Sequence, residues 1–155
     1  KESTQAGSQD PQGKAIETET IGETRHMKLN EFILGYVTCA LWSSGGMDDD
    51  CEYLDEKYDS DDIAPEARRA MEKDCEKFIA ENETALGDYE EKIGRNWEYT
   101  ESEKAGHDFW LTRNGHGAGF WDRGIGETGD KLTKASESFG GVDLYVGDDG
   151  KLYTA

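Results

Sequence analysis

Two aromatic pairs flank a glycine-rich turn in the stretch that decides the predicted fold class, Phe109-Trp110-Leu111-Thr112-Arg113-Asn114-Gly115-His116-Gly117-Ala118-Gly119-Phe120-Trp121-Asp122. Short runs of aromatic and β-branched residues on both sides of a glycine-rich loop are typical of the two strands of a hairpin. Residues 109–113 and 119–122 are therefore predicted to be paired strands, and residues 114–118 are predicted to be the loop that joins them.

A second hairpin is predicted near residue 150. Residues 142–146 and 151–154 contain strand-forming residues and flank the turn Gly147-Asp148-Asp149-Gly150. The Asp-Gly pair is a strong signal for a tight hairpin turn. Residues 130–139, between the two hairpins, have the spacing of a short amphipathic helix. The two hairpins can pair into one antiparallel sheet.

Helices are predicted ahead of the first hairpin. Residues 31–43 place apolar side chains at helical spacing, and residues 65–86 do the same behind a proline that suits a first helical turn. Thr100 and Glu103 have the spacing of a capping box, which predicts a short helix ending near Gly106. The predicted class is α+β, with two or three helices packed on a small antiparallel sheet made of two hairpins.

Length and composition suggest one folded domain. The chain has 155 residues, a size that suits a single core, and its sixteen aromatic residues are more than a solvated coil would carry. Residues 1–26 are polar and lack periodicity, which predicts a disordered or loosely packed N-terminal extension before a single α+β domain over 27–155. No apolar run approaches about 18 residues, and three cysteines without regular spacing suit a reducing compartment. The cytoplasm is the expected location.

The charge of the chain limits its partners. A net charge of −18, from 35 acidic and 17 basic residues, repels nucleic acid and anionic membranes and favours a basic protein partner. Residues 48–62 hold nine carboxylates and one lysine, and they are interpreted as a solvated acidic loop. Duplex DNA carries one charge per about 1.7 Å, so closely spaced acids can imitate its charge density. These nine acids are the candidate partner-binding residues: Asp48, Asp49, Asp50, Glu52, Asp55, Glu56, Asp59, Asp61 and Asp62.

Three segments resemble a group of small acidic proteins of bacteriophages and prophages. They are Tyr36-Val37-Thr38-Cys39-Ala40-Leu41-Trp42-Ser43-Ser44, the run from Gly106 to Gly124 that contains the stretch quoted above, and Val142-Asp143-Leu144-Tyr145-Val146-Gly147-Asp148-Asp149-Gly150-Lys151-Leu152-Tyr153. The acidic stretch before the second predicted helix resembles the same proteins, and the resemblance spans roughly residues 28–154. It implies a phage accessory protein, and it supplies no catalytic residue.

A second candidate site lies within a few residues of the first predicted hairpin. A hairpin could bring two histidines and their neighbouring acids together as a general acid/base pair or a two-histidine, one-carboxylate metal site. The alternative interpretation is structural, with aromatic side chains packing the core and polar ones forming turn bonds. The candidate residues are His107, Asp108, Arg113, His116, Asp122 and Arg123.

No cofactor or metal site is predicted. The twelve residues from Asp55 to Glu66 resemble a calcium loop, but Lys57 and Ser60 stand where a ligand and a glycine are needed. The glycine-rich loop 115–119 lacks the lysine of a phosphate-binding loop, and the cysteines form no close pair for zinc.

The leading hypothesis from these observations is a binding protein that is not an enzyme. It is a phage-encoded acidic inhibitor that imitates nucleic acid and occupies the basic site of a host nucleic-acid-binding or defence protein. Two alternatives remain: a small enzyme or ligand-binding module that uses His107, Asp108, His116 and Asp122, and a structural or virion-associated protein.

Overall fold

The described part of the structure, a computed structural model, covers residues 27–45, 51–95 and 98–155. It contains five α-helices and one two-stranded antiparallel sheet. The predicted extension 1–26 and the candidate residues Asp48, Asp49 and Asp50 lie outside the described residues. The helices are α1 (Leu29–Ser43), α2 (Pro65–Glu81), α3 (Glu83–Ile93), α4 (Glu101–Arg113) and α5 (Glu127–Glu137), and the strands are β1 (Leu144–Val146) and β2 (Leu152–Thr154).

The predicted α+β class with two hairpins is wrong, because the described fold is mostly helical. Residues 109–113 continue α4, and residues Phe120–Asp122 form a short 3-10 turn. All five residues from Phe109 to Arg113 are buried. A helix segment that is buried on every side loses the amphipathic period that distinguishes a helix from a strand. The aromatic-rich run 109–113, predicted to be a strand because it precedes a glycine-rich loop, is therefore a buried part of a helix.

The second hairpin is confirmed. Strands β1 and β2 pair antiparallel, with Tyr145 opposite Tyr153. The Asp149 carboxylate closes the turn by accepting hydrogen bonds from the Lys151 backbone N–H (3.0 Å) and the Tyr153 hydroxyl (2.6 Å). The backbone of Leu152 also accepts a hydrogen bond from the N–H of Ala64, next to the start of α2. The small sheet is thereby attached to the helical body.

The other predicted helices are found with changed bounds. The helix predicted over 31–43 is α1, and the one predicted over 130–139 is α5, which begins at Glu127. The helix predicted over 65–86 is divided at Asn82 into α2 and α3, and the Asn82 side chain donates a hydrogen bond to the carbonyl of Phe78. The capping box at Thr100 and Glu103 is present and begins α4.

Helices α1 and α4 make the most extensive helix contact of the described fold, and they touch through two glycines. A Cβ atom added at Gly35 would overlap the carbonyl oxygen of Glu103, and one added at Gly106 would overlap the carbonyl oxygen of Phe32. The backbones are thus in direct contact. Gly106, expected to end a helix, lies inside α4 because only glycine allows this approach.

An aromatic core fills the space between α1, α2 and α4. The rings of Phe78 and Phe109 stack at a centroid distance of 4.1 Å, and Tyr36 lies 5.2 Å from Phe109. The buried guanidinium of Arg113 donates hydrogen bonds to the Tyr36 hydroxyl (2.9 Å), the Asp74 carboxylate (2.8 Å) and the carbonyls of residues 139 and 140. Arg113, a candidate site residue, therefore joins four parts of the fold. No helix among the described residues is both long enough and apolar enough to cross a bilayer.

Candidate functional site

The acidic segment, residues 51–63, is an ordered part of the surface. It contains the 3-10 turns Leu54–Glu56 and Ser60–Asp62. The side chain of Leu54 is fully buried, and those of Cys51 and Ile63 are nearly so. The backbone N–H of Leu54 also donates to the carbonyl of Ser44, at the end of α1. In the described part of the predicted solvated loop, five of the six acids are exposed, but the backbone is anchored by the buried side chains of Cys51, Leu54 and Ile63.

Three of the carboxylates in this segment hold its turns. The Glu56 carboxylate accepts hydrogen bonds from the backbone N–H groups of Glu52 (3.2 Å) and Tyr53 (3.1 Å). Asp59 and Asp62 form a second capping box, in which the Asp62 carboxylate accepts from the Asp59 N–H at 2.8 Å. Capping bonds of this kind satisfy N–H groups that would otherwise lack a partner. These acids therefore stabilise the segment as well as adding charge.

The other three carboxylates point at solvent. Glu52, Asp55 and Asp61 are exposed, and within the described ranges their side chains form no hydrogen bond or ion pair. The backbone beneath them is ordered, so these three carboxylates project from a defined part of the surface. Among the six described acids of the predicted set, these three are the ones whose carboxylates are available to a partner.

A group of exposed aromatic rings lies next to the acidic segment. We define the Trp42 surface as Trp42, Tyr53 and Tyr99, whose side chains are 53%, 42% and 41% exposed, together with the half-buried His107. Trp42 and Asp55 both line two cavities, of about 400 Å³ and about 660 Å³. The aromatic rings and the acidic segment are therefore parts of one surface.

Sequence reasoning missed this surface, although one signal for it was present. The apolar stripe of α1 accounts for its buried positions, and Leu34, Thr38 and Trp42 fall outside that stripe at spacings of four. Residues four apart share a helix face, so the pattern predicts an exposed face that carries a tryptophan. Large exposed aromatic side chains are typical of protein interfaces. The contribution of Tyr99 depends on tertiary contacts and has no local signal.

The structure divides the second candidate site. The Asp108 carboxylate is fully buried, and it accepts hydrogen bonds from the Tyr89 hydroxyl (2.8 Å) and the Arg123 Nε (3.0 Å). The pKa of the Arg123 guanidinium is raised, first by this hydrogen bond. Asp108 and Arg123 thus form a buried ion pair that connects α4 to α3 and to the turn after residue 120. The geometry favours a structural role for this pair.

The two histidines lie in different cavities. His107 lines the cavity that includes Tyr99, whereas His116 lines the cavity that includes Tyr53. Asp122 is exposed and forms no hydrogen bond or ion pair through its side chain in the described part of the chain. Within that part, no group of three or more potential ligands is arranged to hold a metal ion. The two-histidine, one-carboxylate arrangement, considered as one alternative for a hairpin, is therefore not formed by the described residues.

Burial affects His107 and the cysteines. Desolvation lowers the pKa of His107 below its usual value, because burial penalises the charged form of the ring. Desolvation raises the pKa of Cys39 to about 12, and it also raises that of Cys75. All three cysteines are buried and unpaired with one another. A buried thiol with a raised pKa is a poor nucleophile.

Comparison with known proteins gives no family. No protein-family model matches this chain, and neither does any curated protein or solved structure. The function is therefore argued from the surface itself.

Proposed function

We propose that this protein is a phage accessory protein that acts by binding, as an acidic inhibitor in the host cytoplasm. Its acidic segment imitates nucleic acid and occupies the basic site of a host nucleic-acid-binding or defence protein. The observation that carries this proposal is that Glu52, Asp55 and Asp61 face solvent on an ordered segment beside the exposed ring of Trp42.

The arrangement provides both parts of a typical binding surface. Interfaces combine a few central aromatic anchors with a polar or charged rim, and charge complementarity increases the association rate. Trp42 supplies an anchor and the acids supply the rim. Because capping bonds already order the acidic segment, binding requires little further loss of conformational entropy. The net charge of −18 attracts a basic partner at long range.

The alternative of an enzyme built on His107, Asp108, His116 and Asp122 has less support. Its buried acid is engaged by Arg123 and Tyr89, and its histidines line separate cavities. No contact of the described residues particularly favours a structural or virion-associated role.

Neutralising the solvent-facing acids tests the proposal. In a pull-down from host lysate at low salt, the wild-type chain is expected to retain a DNA- or RNA-binding protein that competing duplex DNA displaces. The variant Glu52→Gln/Asp55→Asn/Asp61→Asn is expected to bind that protein about tenfold more weakly, because exposed charge pairs contribute about 0.2–1 kcal/mol each and three of them are removed. The measurement is the dissociation constant of the purified pair at several salt concentrations.

A matched variant separates position from net charge. Glu76→Gln/Asp88→Asn/Glu137→Gln removes the same three charges from exposed sites on α2, α3 and α5. It is expected to keep most of the affinity. Equal losses in both variants would show that only total charge matters. Retention of proteins that duplex DNA cannot displace would contradict imitation of nucleic acid.

A further inference from the structure

A cavity of about 400 Å³ lies beside Trp42 and is bounded by α1, α4 and the acidic segment. Three aromatic rings contribute to its wall: His107 lies 5.7 Å from Trp42 and 6.2 Å from Tyr99, measured between ring centroids. The full lining is Thr38, Trp42, Asp55, Tyr99, Lys104, His107 and Arg123. The cavity therefore offers flat aromatic faces together with a small number of charged groups.

Some charged groups in the cavity lining are already paired with other groups of the protein, and others are not. Arg123 is half-buried, and its guanidinium is paired with the buried carboxylate of Asp108, which neutralises it. Burial lowers the pKa of His107, which favours the uncharged form of its ring. Asp55 and Lys104 remain, and neither forms an ion pair within the described residues. One free carboxylate and one free ammonium thus face a common space, in a protein whose overall field is strongly negative.

We propose that this cavity receives an arginine side chain of the partner protein, with the guanidinium stacked on Trp42 and Tyr99 and hydrogen-bonded to the carboxylate of Asp55. The inference rests on the proposed function, since it names the side chain by which a basic partner is recognised. It adds an aromatic pocket to the acidic surface.

Arginine fits the pocket better than other ligands do. Its guanidinium is planar and weakly hydrated, it stacks on aromatic faces, and its donors match a carboxylate. A lysine ammonium is compact and strongly hydrated, so it gains less from flat rings. An anion would face Asp55 and the net charge of −18, and it would gain only the ammonium of Lys104.

A pair of peptides tests the chemistry without knowledge of the partner. The first probe is an octapeptide of three arginines and five glycines with an acetylated N-terminus and an amidated C-terminus, and the second has lysine in place of each arginine. Each peptide is titrated into the full chain, and binding is followed by the NMR signals of the tryptophan indole groups. We expect the arginine peptide to bind about five to ten times more tightly. Trp42→Ala is expected to abolish this preference, and because Trp42 is exposed the variant should keep the circular dichroism spectrum of the wild type.

Replacing Lys104 shows whether the ligand is a cation or an anion, because loss of its positive charge strengthens binding of a cation and weakens binding of an anion. Lys104→Gln is expected to tighten binding of the arginine peptide about two- to fivefold, because it removes a like charge from the pocket. Lys131→Gln, which removes one exposed positive charge on α5, is the matched control and is expected to have a smaller effect. Weaker arginine binding by Lys104→Gln, with saturable binding of AMP by the wild type, would overturn the proposal in favour of a nucleotide.

The two proposals fail in different ways. Glu52→Gln/Asp61→Asn changes acids outside the pocket lining, and it is expected to weaken both peptides by a similar factor. If it does so while Trp42→Ala leaves the arginine-to-lysine ratio unchanged, the acidic surface stands and the arginine pocket is wrong. If neither the acids nor Trp42 affects peptide binding, both proposals are wrong.

Discussion

Replacing Gly35 or Gly106 with alanine is expected to lower the free energy of unfolding by at least about 4 kcal/mol, a large share of the about 5–15 kcal/mol typical of a domain. In each case the added methyl group would overlap a backbone carbonyl of the facing helix, and a backbone atom cannot rotate away as a side chain can. The helices α1 and α4 would have to separate. Urea unfolding followed by circular dichroism measures the loss.

The wider effect follows from what α1 and α4 enclose. The ring of Phe109 in α4 lies 6.1 Å from that of Phe32 and 5.2 Å from that of Tyr36, both in α1. Separation of the helices would loosen this part of the core, which adds a packing cost to the local overlap.

Gly87→Ala is the matched control for helix propensity. Gly87 lies within α3, and no atom lies within 4 Å of the place where its Cβ would be. Alanine there is expected to raise the free energy of unfolding by about 0.5–1 kcal/mol, because glycine is unfavourable inside a helix. A Gly35→Ala protein as stable as wild type would show that the helices do not touch through their backbones.

Breaking the Asp108–Arg123 pair is expected to have the second largest effect. Arg123→Met keeps much of the apolar stem but leaves the fully buried Asp108 carboxylate with the Tyr89 hydroxyl as its remaining described partner. Removing one partner of a buried ion pair typically costs about 3–5 kcal/mol, since the other charge stays desolvated. We expect a loss of about 3 kcal/mol in urea unfolding, because the Arg123 side chain is 23% exposed.

A double-mutant cycle isolates the interaction. Asp108→Asn/Arg123→Met removes both charges, and it is expected to be less destabilised than the sum of the two single variants by at least about 1.5 kcal/mol. Additive single effects would mean that the two groups do not interact, in conflict with the short contacts seen between them.

The sequence predicts well those helices and turns whose apolar periodicity, capping residues or turn residues match the structure that they adopt. Helix α1 has one buried face, α2 begins with Pro65, and the turn before Lys151 contains Asp-Gly. Their period, cap or turn chemistry is visible without tertiary information. Helix α4 differs because its second half is buried on all sides, so its run of large residues has no polar face to reveal the helical period. Asn82 likewise gives only a weak signal for the division between α2 and α3.

The sequence predicts that the candidate site is acidic, but it does not predict how the acidic side chains are arranged. The acids of residues 52–62 are evident in the sequence, but the division into three capping and three solvent-facing carboxylates depends on the backbone of the two turns. The same residue types that suggest catalysis, Asp108 with Arg123, also make a buried ion pair, and only burial distinguishes the two. Trp42 and Tyr99 are far apart in sequence and meet through His107.

The reactivity of the three buried thiols can be used to measure transient local opening of the structure. Cys39 and Cys75 lie in α1 and α2, whereas Cys51 begins the acidic segment. A maleimide or disulfide reagent reacts with a buried cysteine only while the surrounding structure is transiently open. The alkylation rate of Cys51, compared with those of Cys39 and Cys75, therefore measures whether the acidic segment detaches while the helical body stays closed. The positions of the cysteines thus allow opening of the acidic segment and opening of the helical body to be followed separately in one chain.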